Sequence, residues 1–158
     1  MQLNFDNRGG IRRVYAIPVA DILRIRHNWT SRTVTPELRR RGGIVELPTY
    51  AGQDYAFTEE RVLTDQGTRY NVSLKGRIPA RLIQPSTIQK LSDGEWLVLH
   101  QDTCGRIRLS GTALVPLRFV STSDSGQTAS ELNGETFTFS AVESITSPEC
   151  YIADINQL

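Results

Sequence analysis

Hydrophobic and polar residues alternate along most of the chain with the period of two that is typical of β-strands. In the segment 69–75, Tyr70, Val72 and Leu74 alternate with polar residues, which predicts one buried face and one solvated face. Similar patterns predict strands at 11–19, 21–27, 43–50, 57–64, 68–78, 95–101, 106–111, 113–121, 135–142 and 150–155. Strands that recur this regularly between turn signals favour a sandwich or a barrel.

Glycine-containing turns separate several of these strands. Asp65-Gln66-Gly67 and the segment 102–105 predict hairpin turns in which Gly67 and Gly105 adopt positive φ. Asn133-Gly134 predicts a tight two-residue hairpin, with the polar segment 126–130 as the arm that leads into it.

Two short helices are predicted between the strands. In the first, Thr35 is the N-cap, Pro36 and Glu37 lie in the first turn, and Gly42 ends the helix. The second covers about 85–92. Neither helix is long enough to form a layer, so we expect one mainly-β domain over 1–158, an antiparallel β-sandwich or barrel with one or two short helices.

The composition is that of a globular protein. The chain has 158 residues, 39% of them hydrophobic and 22% charged. No apolar run approaches the roughly 20 residues of a membrane helix, so no membrane partner is expected. The first ten residues lack the apolar core of a secretory signal, which predicts synthesis and residence in a cytoplasm. The two cysteines, Cys104 and Cys150, do not suggest a disulfide framework.

The charges are distributed unevenly, although the net charge is only +1. The segment 1–45 carries nine arginines against three acidic residues, a net charge of +6. The segment 121–158 has six acidic residues and no lysine or arginine, a net charge of −6. Arginine outnumbers lysine sixteen to two, a preference that suits bidentate ion pairs at interfaces.

The sequence offers no convincing catalytic or metal-binding set. His27 and His100 both lie in strand patterns, and His100 is expected to be a half-buried strand histidine. The spacing of the cysteines and histidines does not suit a metal site. Asp102 and Asp124 are explained as turn residues that bind backbone amides. We therefore expect a protein that is not an enzyme and has no cofactor, with a hydrolase using His100 and either Asp102 or Cys104 as the less favoured alternative.

The two arginine-glycine segments, 7–13 and 37–43, are candidates for contact with nucleic acid. Such clusters can follow phosphates. However, the sequence pI is only 7.8 and no aromatic residues interleave with the arginines as a stacking platform. Sequence-specific binding is not expected, whereas nonspecific contact with nucleic acid inside a ring or tube stays open.

The charge asymmetry has two explanations. Copies of the chain could associate head to tail into a ring or stack, with basic ends meeting acidic ends. The candidate contacts between subunits are Arg12, Arg13, Arg39, Arg40, Arg41, Asp124, Glu131 and Glu135. Segments near 1–12 and 122–135 are candidate arms that pair with the sheet edge of a neighbour. Alternatively, the two ends neutralise each other within one monomer.

The order of elements from about 95 to 155 resembles structural proteins of tailed bacteriophages, in the tail-tube and tail-ring group that includes crAss-like phages. It consists of the Trp96 strand, the Gly105 turn, "RIRLSGT", "ALVPLRFV", the polar segment 123–134 and "ETFTFSAV". The resemblance implies a homo-oligomeric ring in the tail or neck of a virion, made in the host cytoplasm. Its partners would be other tail or neck proteins and DNA passing nonspecifically through the lumen.

A different class of function is also open. A β-sandwich can bind carbohydrate through an exposed aromatic residue in a loop, and Trp29 and Tyr50 are the candidates for that role.

Overall fold

In the computed structural model the chain is mainly β, and its strands pair in an antiparallel manner. The structure describes residues 9–50, 54–126 and 133–144. The strands are β1 (Ile11–Pro18), β2 (Ile22–Asn28), β3 (Thr33–Leu38), β4 (Val45–Glu46), β5 (Ala56–Thr64), β6 (Gly67–Pro79), β7 (Glu95–Asp102), β8 (Ile107–Ser110), β9 (Leu117–Asp124) and β10 (Gly134–Ser144). One α-helix, α1 (Pro85–Asp93), and two 3-10 turns, Val19–Asp21 and Ala80–Leu82, complete the described elements. The predicted fold class is confirmed, while the predicted strand at 150–155 lies outside the described residues.

The larger sheet divides into two halves at β7. Its order is β4-β1-β7-β9-β10-β6-β5, and β8 also pairs with β7. Along one edge of β7, β8 pairs with 98–101 and β9 pairs only with Glu95 and Trp96. We call β4, β1, β7 and β8 the first half-sheet, and β9, β10, β6 and β5 the second half-sheet.

The main hydrophobic core lies between the two half-sheets. Alternation along β1 and β7 sends Val14, Ala16 and Val98 into this core, where they meet Phe137 and Phe139 of β10. The three aromatic rings of Phe119, Phe137 and Phe139 pack together there, with centroids 4.9 to 5.9 Å apart. This burial of one face of each half-sheet provides the main apolar stabilisation of a sandwich-like fold.

Residues of the second half-sheet form a row that follows β7 from one end toward the other. Phe119, Phe139, Leu74 and Phe57 form one row across that half-sheet. The row begins beside the Trp96 end of β7, and at its other end the Phe57 ring contacts His100. A row that follows β7 requires strands that run across it, as in orthogonal sheet packing.

A smaller core covers the other face of the first half-sheet. Ile17, Leu97 and Leu99 point to this side, and partly buried residues of the β2–β3 hairpin, including Ile25 and Leu38, pack over them. The hairpin is therefore a third layer, which leaves its loop at 29–32 exposed.

The first predicted helix is wrong, because 33–38 forms β3 and pairs with β2. The β-branched run at 33–35 favours a strand, and Val34 is buried. Pro36 is tolerated because β3 pairs with β2 alone in a two-stranded sheet. In the ladder, Glu37 lies opposite Arg24. The second predicted helix is confirmed as α1.

The predicted Asn133-Gly134 hairpin is also wrong. Gly134 already lies in β10, opposite Asp124 of β9 and Pro79 of β6, so it is a strand residue and not the second residue of a two-residue turn. A Cβ atom on Gly134 would overlap the Ile78 carbonyl. The glycine therefore permits close approach of two strands rather than a positive φ.

The other two predicted turns are confirmed. Thr64 pairs with Gly67 across a two-residue loop, and Gly67 has φ +112°. Gly105 has φ +85° between β7 and β8. The Asp102 side chain accepts the backbone N–H of Arg106 at 2.8 Å, and that of Asp124 accepts the N–H of Gly126 at 2.9 Å, as expected for turn residues.

Candidate functional site

The basic candidate contacts lie at the two ends of β1. Arg12 and Arg13 begin the strand, and Arg12 is exposed. Arg39, Arg40 and Arg41 follow β3 and lie near the other end of β1, where the Arg39 backbone N–H donates to the Asp21 carbonyl at 2.7 Å.

One of these arginines has a partner within the subunit. The Arg40 guanidinium contacts the Asp21 carboxylate at 3.2 Å, and Asp21 is only 4% exposed. The Arg40 side chain itself stays largely exposed, so it can still reach a second molecule. A role for Arg40 between subunits stays a prediction.

Two of the acidic candidate contacts lie close together at one end of the second half-sheet. Asp124 ends β9, and Glu135 is the second residue of β10, one position along the ladder from Gly134, which lies opposite Asp124. Glu131 lies outside the described residues, as do positions 1–8 and 127–132 of the two predicted arms. The structure therefore places Asp124 and Glu135 at one corner of the second half-sheet, on neighbouring strands, with their side chains projecting from opposite faces of the sheet.

Within the described part of the chain, three ion pairs join residues of the segment 1–45 to one another. Glu37 binds both Arg24 and Arg26, and the Arg24 hydrogen bond lowers the pKa of the Glu37 carboxyl. Arg118 pairs with Glu95 across β9 and β7 at 3.1 Å. Among the residues that the structure describes, no ion pair joins the basic N-terminal segment to Asp124 or Glu135.

The two aromatic candidates for carbohydrate binding differ in exposure. Trp29 is 83% exposed at the tip of the β2–β3 hairpin, and its ring stacks on His27 with a centroid distance of 5.3 Å. Tyr50 instead packs against the main core, and its hydroxyl donates to the Arg77 carbonyl. Tyr50 is therefore only half-buried, with its hydroxyl engaged, and Trp29 is the more exposed of the two candidates.

A cavity of about 310 Å³ opens where the edge strands β5 and β8 face each other. Its walls come from the starts of β1 and β5, the end of β7, and β8. The lining residues are Gly9, Gly10, Ile11, Tyr55, Ala56, Phe57, His100, Asp102, Cys104, Arg106 and Arg108. The cavity thus brings together the three residues of the hydrolase alternative with two arginines that the sequence analysis did not select.

His100 is a buried core residue rather than a poised base. It is 3% exposed, and its ring lies 4.3 Å from that of Phe57. Burial lowers the pKa of His100 to about 4; the nearby charge of Arg108 acts in the same direction, and Asp102 opposes it. The prediction of a strand histidine is confirmed, with deeper burial than expected.

The neighbours of His100 do not complete a catalytic set. Asp102 bonds to the turn backbone, and Cys104 is exposed on that turn. No hydrogen bond joins His100 to either residue within the described part of the chain. A nucleophile needs a base within hydrogen-bond reach, which this arrangement does not supply. The prediction that the protein is not an enzyme stays a prediction.

Residues 9–50, 54–126 and 133–144 contain neither a metal-binding cluster nor a membrane-spanning helix. No group of three or more His, Cys, Asp or Glu side chains there could hold a metal ion. No helix in these ranges has the length and apolar character needed to cross a membrane.

Comparison of the chain with protein-family models, characterised proteins and solved structures found no match. The resemblance of 95–155 to phage tail proteins therefore stays a prediction, and the charges and surfaces of the molecule are what a functional proposal can rest on.

Proposed function

We propose that the protein is a non-enzymatic virion structural protein, a subunit of an oligomeric ring that surrounds a DNA channel in a phage tail or neck. The observation that carries the proposal is the separation of charge. The segment 1–45 has a net charge of +6 and the segment 121–158 a net charge of −6, and among the described residues no ion pair joins the first segment to Asp124 or Glu135. The resemblance of 95–155 to tail proteins supports this choice of class.

The charged ends suit a head-to-tail contact. Arg39 and Arg41 would face the corner formed by Asp124 and Glu135 of the next copy. A contact between two different surfaces closes into a ring when the rotation between copies allows it. Complementary charges of this kind steer encounter and fix register more than they add affinity.

The edge of the second half-sheet offers a further place for association. β5 pairs with β6 on one side only among the described strands, so its outer edge can accept another strand. The predicted arms near 1–12 and 122–135 are the segments proposed to add to such an edge in a neighbour.

A charge-swap experiment tests the assembly. One variant carries Asp124→Lys and Glu135→Lys, and a second carries Arg39→Glu and Arg41→Glu. Each variant alone places residues of like charge at positions 39, 41, 124 and 135, and is expected to stay monomeric in light scattering after size exclusion. In an equimolar mixture, every contact between one variant and the other has opposite charges again, so the two variants are expected to associate with each other in alternating order.

Asp65→Lys is the matched control, because Asp65 is an exposed turn residue remote from both ends. We expect it to assemble normally, and we expect raised salt to weaken assembly of the unmodified protein. A protein that stays monomeric at high concentration and low salt would contradict the proposal. So would a mixture in which the two variants show no association with each other although the unmodified protein assembles.

Carbohydrate binding is a second candidate, favoured by the exposure of Trp29. A flat indole supported from behind by His27 can stack on the apolar face of a sugar ring. Binding on a glycan array that is lost in Trp29→Ala would favour this function, and an array without any binding would remove its support.

A further inference from the structure

The cavity beside His100 exists because two sheet edges meet there without pairing. β5 pairs with β6, β8 pairs with β7, and no ladder joins β5 to β8 in the described part of the chain. A closed sheet would fill this space with backbone hydrogen bonds. Here Tyr55, Ala56 and Phe57 of the β5 side face Arg108 of β8 across open volume.

The charges that line the cavity favour an anion. Arg106 and Arg108 both line it, and Asp102 is the one acidic residue among the lining side chains. The Asp102 carboxylate already accepts the backbone N–H of Arg106 at 2.8 Å, which directs part of its charge toward the turn. The Tyr55 hydroxyl is also committed, since it donates to the Pro48 carbonyl at 2.7 Å.

His100 supplies a polar group at the same wall. It lies directly opposite Arg108 in the β7–β8 ladder, so both side chains project from the same face. Its Nδ1 atom is buried and has no hydrogen-bond partner. A buried polar atom without a partner is unusual in a folded protein, and it marks a place where a ligand or solvent group can be accommodated.

The volume and the lining suit a small ligand. About 310 Å³ lies at the lower end of the range of about 300–1,000 Å³ for small-molecule sites. Phe57 and Ile11 contribute apolar wall, and Arg106 and Arg108 contribute positive charge to the same lining. Guanidinium groups bind carboxylate and phosphate oxygens through paired, charge-assisted hydrogen bonds.

We propose that this cavity binds a small oxyanion of the carboxylate or phosphate type, held by the guanidinium groups of Arg108 and Arg106 beside the imidazole of His100. The four residues changed in the charge-swap variants do not line this cavity, although Gly9, Gly10 and Ile11 of the predicted arm near 1–12 do.

Nuclear magnetic resonance of the imidazole nitrogens gives a direct test, because the chain has only two histidines. The labelled protein is titrated at pH 7 with sodium phosphate and, separately, with sodium acetate, while sodium chloride keeps the ionic strength constant. We expect a saturable shift of the His100 signals with at least one of the two anions. His27, which is exposed on the hairpin, serves as the internal control and should shift little.

The variants locate the site. Arg108→Gln should weaken the anion affinity about tenfold or more, because a charge-assisted bond is lost. Arg118→Gln is the matched control, since that arginine pairs with Glu95 outside the cavity, and it should bind as the unmodified protein does. If Arg108→Gln does not fold, Arg106→Gln on the exposed turn provides the same comparison.

The two anions distinguish the ligand classes. Saturation by phosphate alone assigns a phosphate-type ligand, saturation by acetate alone assigns a carboxylate, and saturation by both assigns a general oxyanion site. Shifts that never saturate, that are equal for His100 and His27, or that persist unchanged in the cavity arginine variants would overturn the proposal.

Discussion

Acid should destabilise this protein through His100 in particular. The imidazole is buried between Phe57 and the first half-sheet, and Arg108 lies opposite it in the ladder. Its pKa falls from 6.5 to about 4 on folding, so below pH 6.5 the unfolded chain binds a proton that the folded protein does not. The stabilisation is complete above pH 6.5 and is lost as the pH falls toward and through 4.

The magnitude follows from the same shift. One pKa unit corresponds to about 1.36 kcal/mol, so a shift from 6.5 to about 4 has a limiting effect of about 3 kcal/mol. Between pH 7 and pH 5 the linkage relation gives a loss of about 2 kcal/mol in the free energy of unfolding. The charged groups that face the ring are Arg108, which favours the neutral form, and Asp102, which opposes it.

The assay is urea unfolding at several pH values between 7 and 5, in buffers without phosphate or carboxylate. His100→Leu removes the titrating group, so the difference in unfolding free energy between the two proteins should change by about 2 kcal/mol over this range. Comparing changes with pH cancels the contribution of carboxylates that both proteins share. His27→Gln is the control, because that ring is exposed, and it should keep the dependence of the unmodified protein.

An unchanged difference between His100→Leu and the unmodified protein across the pH range would refute this reasoning. It would mean that the imidazole is protonated as easily in the folded protein as in the unfolded chain.

Three further substitutions test the packing, with unfolding free energy as the measurement. Phe137→Ala should cost about 3–5 kcal/mol, because its ring is fully buried between the half-sheets; a loss below 1 kcal/mol would contradict the central core. Gly43→Ala should cost about 1–3 kcal/mol, since its Cβ would overlap the buried Asp21 carboxylate, whereas Gly42→Ala has open space and should cost less. Trp29→Ala should change stability by less than about 0.5 kcal/mol because the side chain is exposed, and a large loss would place the indole in a packed environment.

The elements that the sequence predicts correctly are those in which local and tertiary preferences agree. In β6, alternation of apolar and polar residues coincides with burial of Val72 and Leu74 on the core face. The turns at Gly67 and Gly105 are also correct, because positive φ is a backbone requirement that a glycine meets locally.

The predicted helix that begins at Thr35 and the predicted Asn133-Gly134 hairpin are wrong because a local signal competes with pairing to a distant strand. Thr35 and Pro36 carry good helix-start chemistry, but pairing with β2 and burial of Val34 favour a strand. Gly134 carries a hairpin signal, but its lack of a side chain serves the close approach to Ile78 in β6. Neither partner strand can be identified from the residues around the motif.

The cavity illustrates a second limit. Periodicity predicts that His100 lies in a strand, and the Gly105 hairpin implies that a residue of the returning strand lies opposite it. That register could have identified Arg108 as a neighbour. The sequence could not have revealed that β5 approaches β8 without pairing, because this depends on how the two half-sheets pack against each other.

The ion pairs bear directly on what the charge asymmetry can do. Both described acidic residues of the segment 1–45, Asp21 and Glu37, are bound by arginines of that same segment. The other arginines of this segment keep it strongly basic. Asp124 and Glu135 carry negative charge at one corner of the second half-sheet. Charge that is not neutralised within a subunit favours contacts that bring opposite ends of different subunits together. A head-to-tail ring supplies one such contact per subunit, which is why restoration by mixing two charge-swapped variants is a stricter test than loss of assembly in either one.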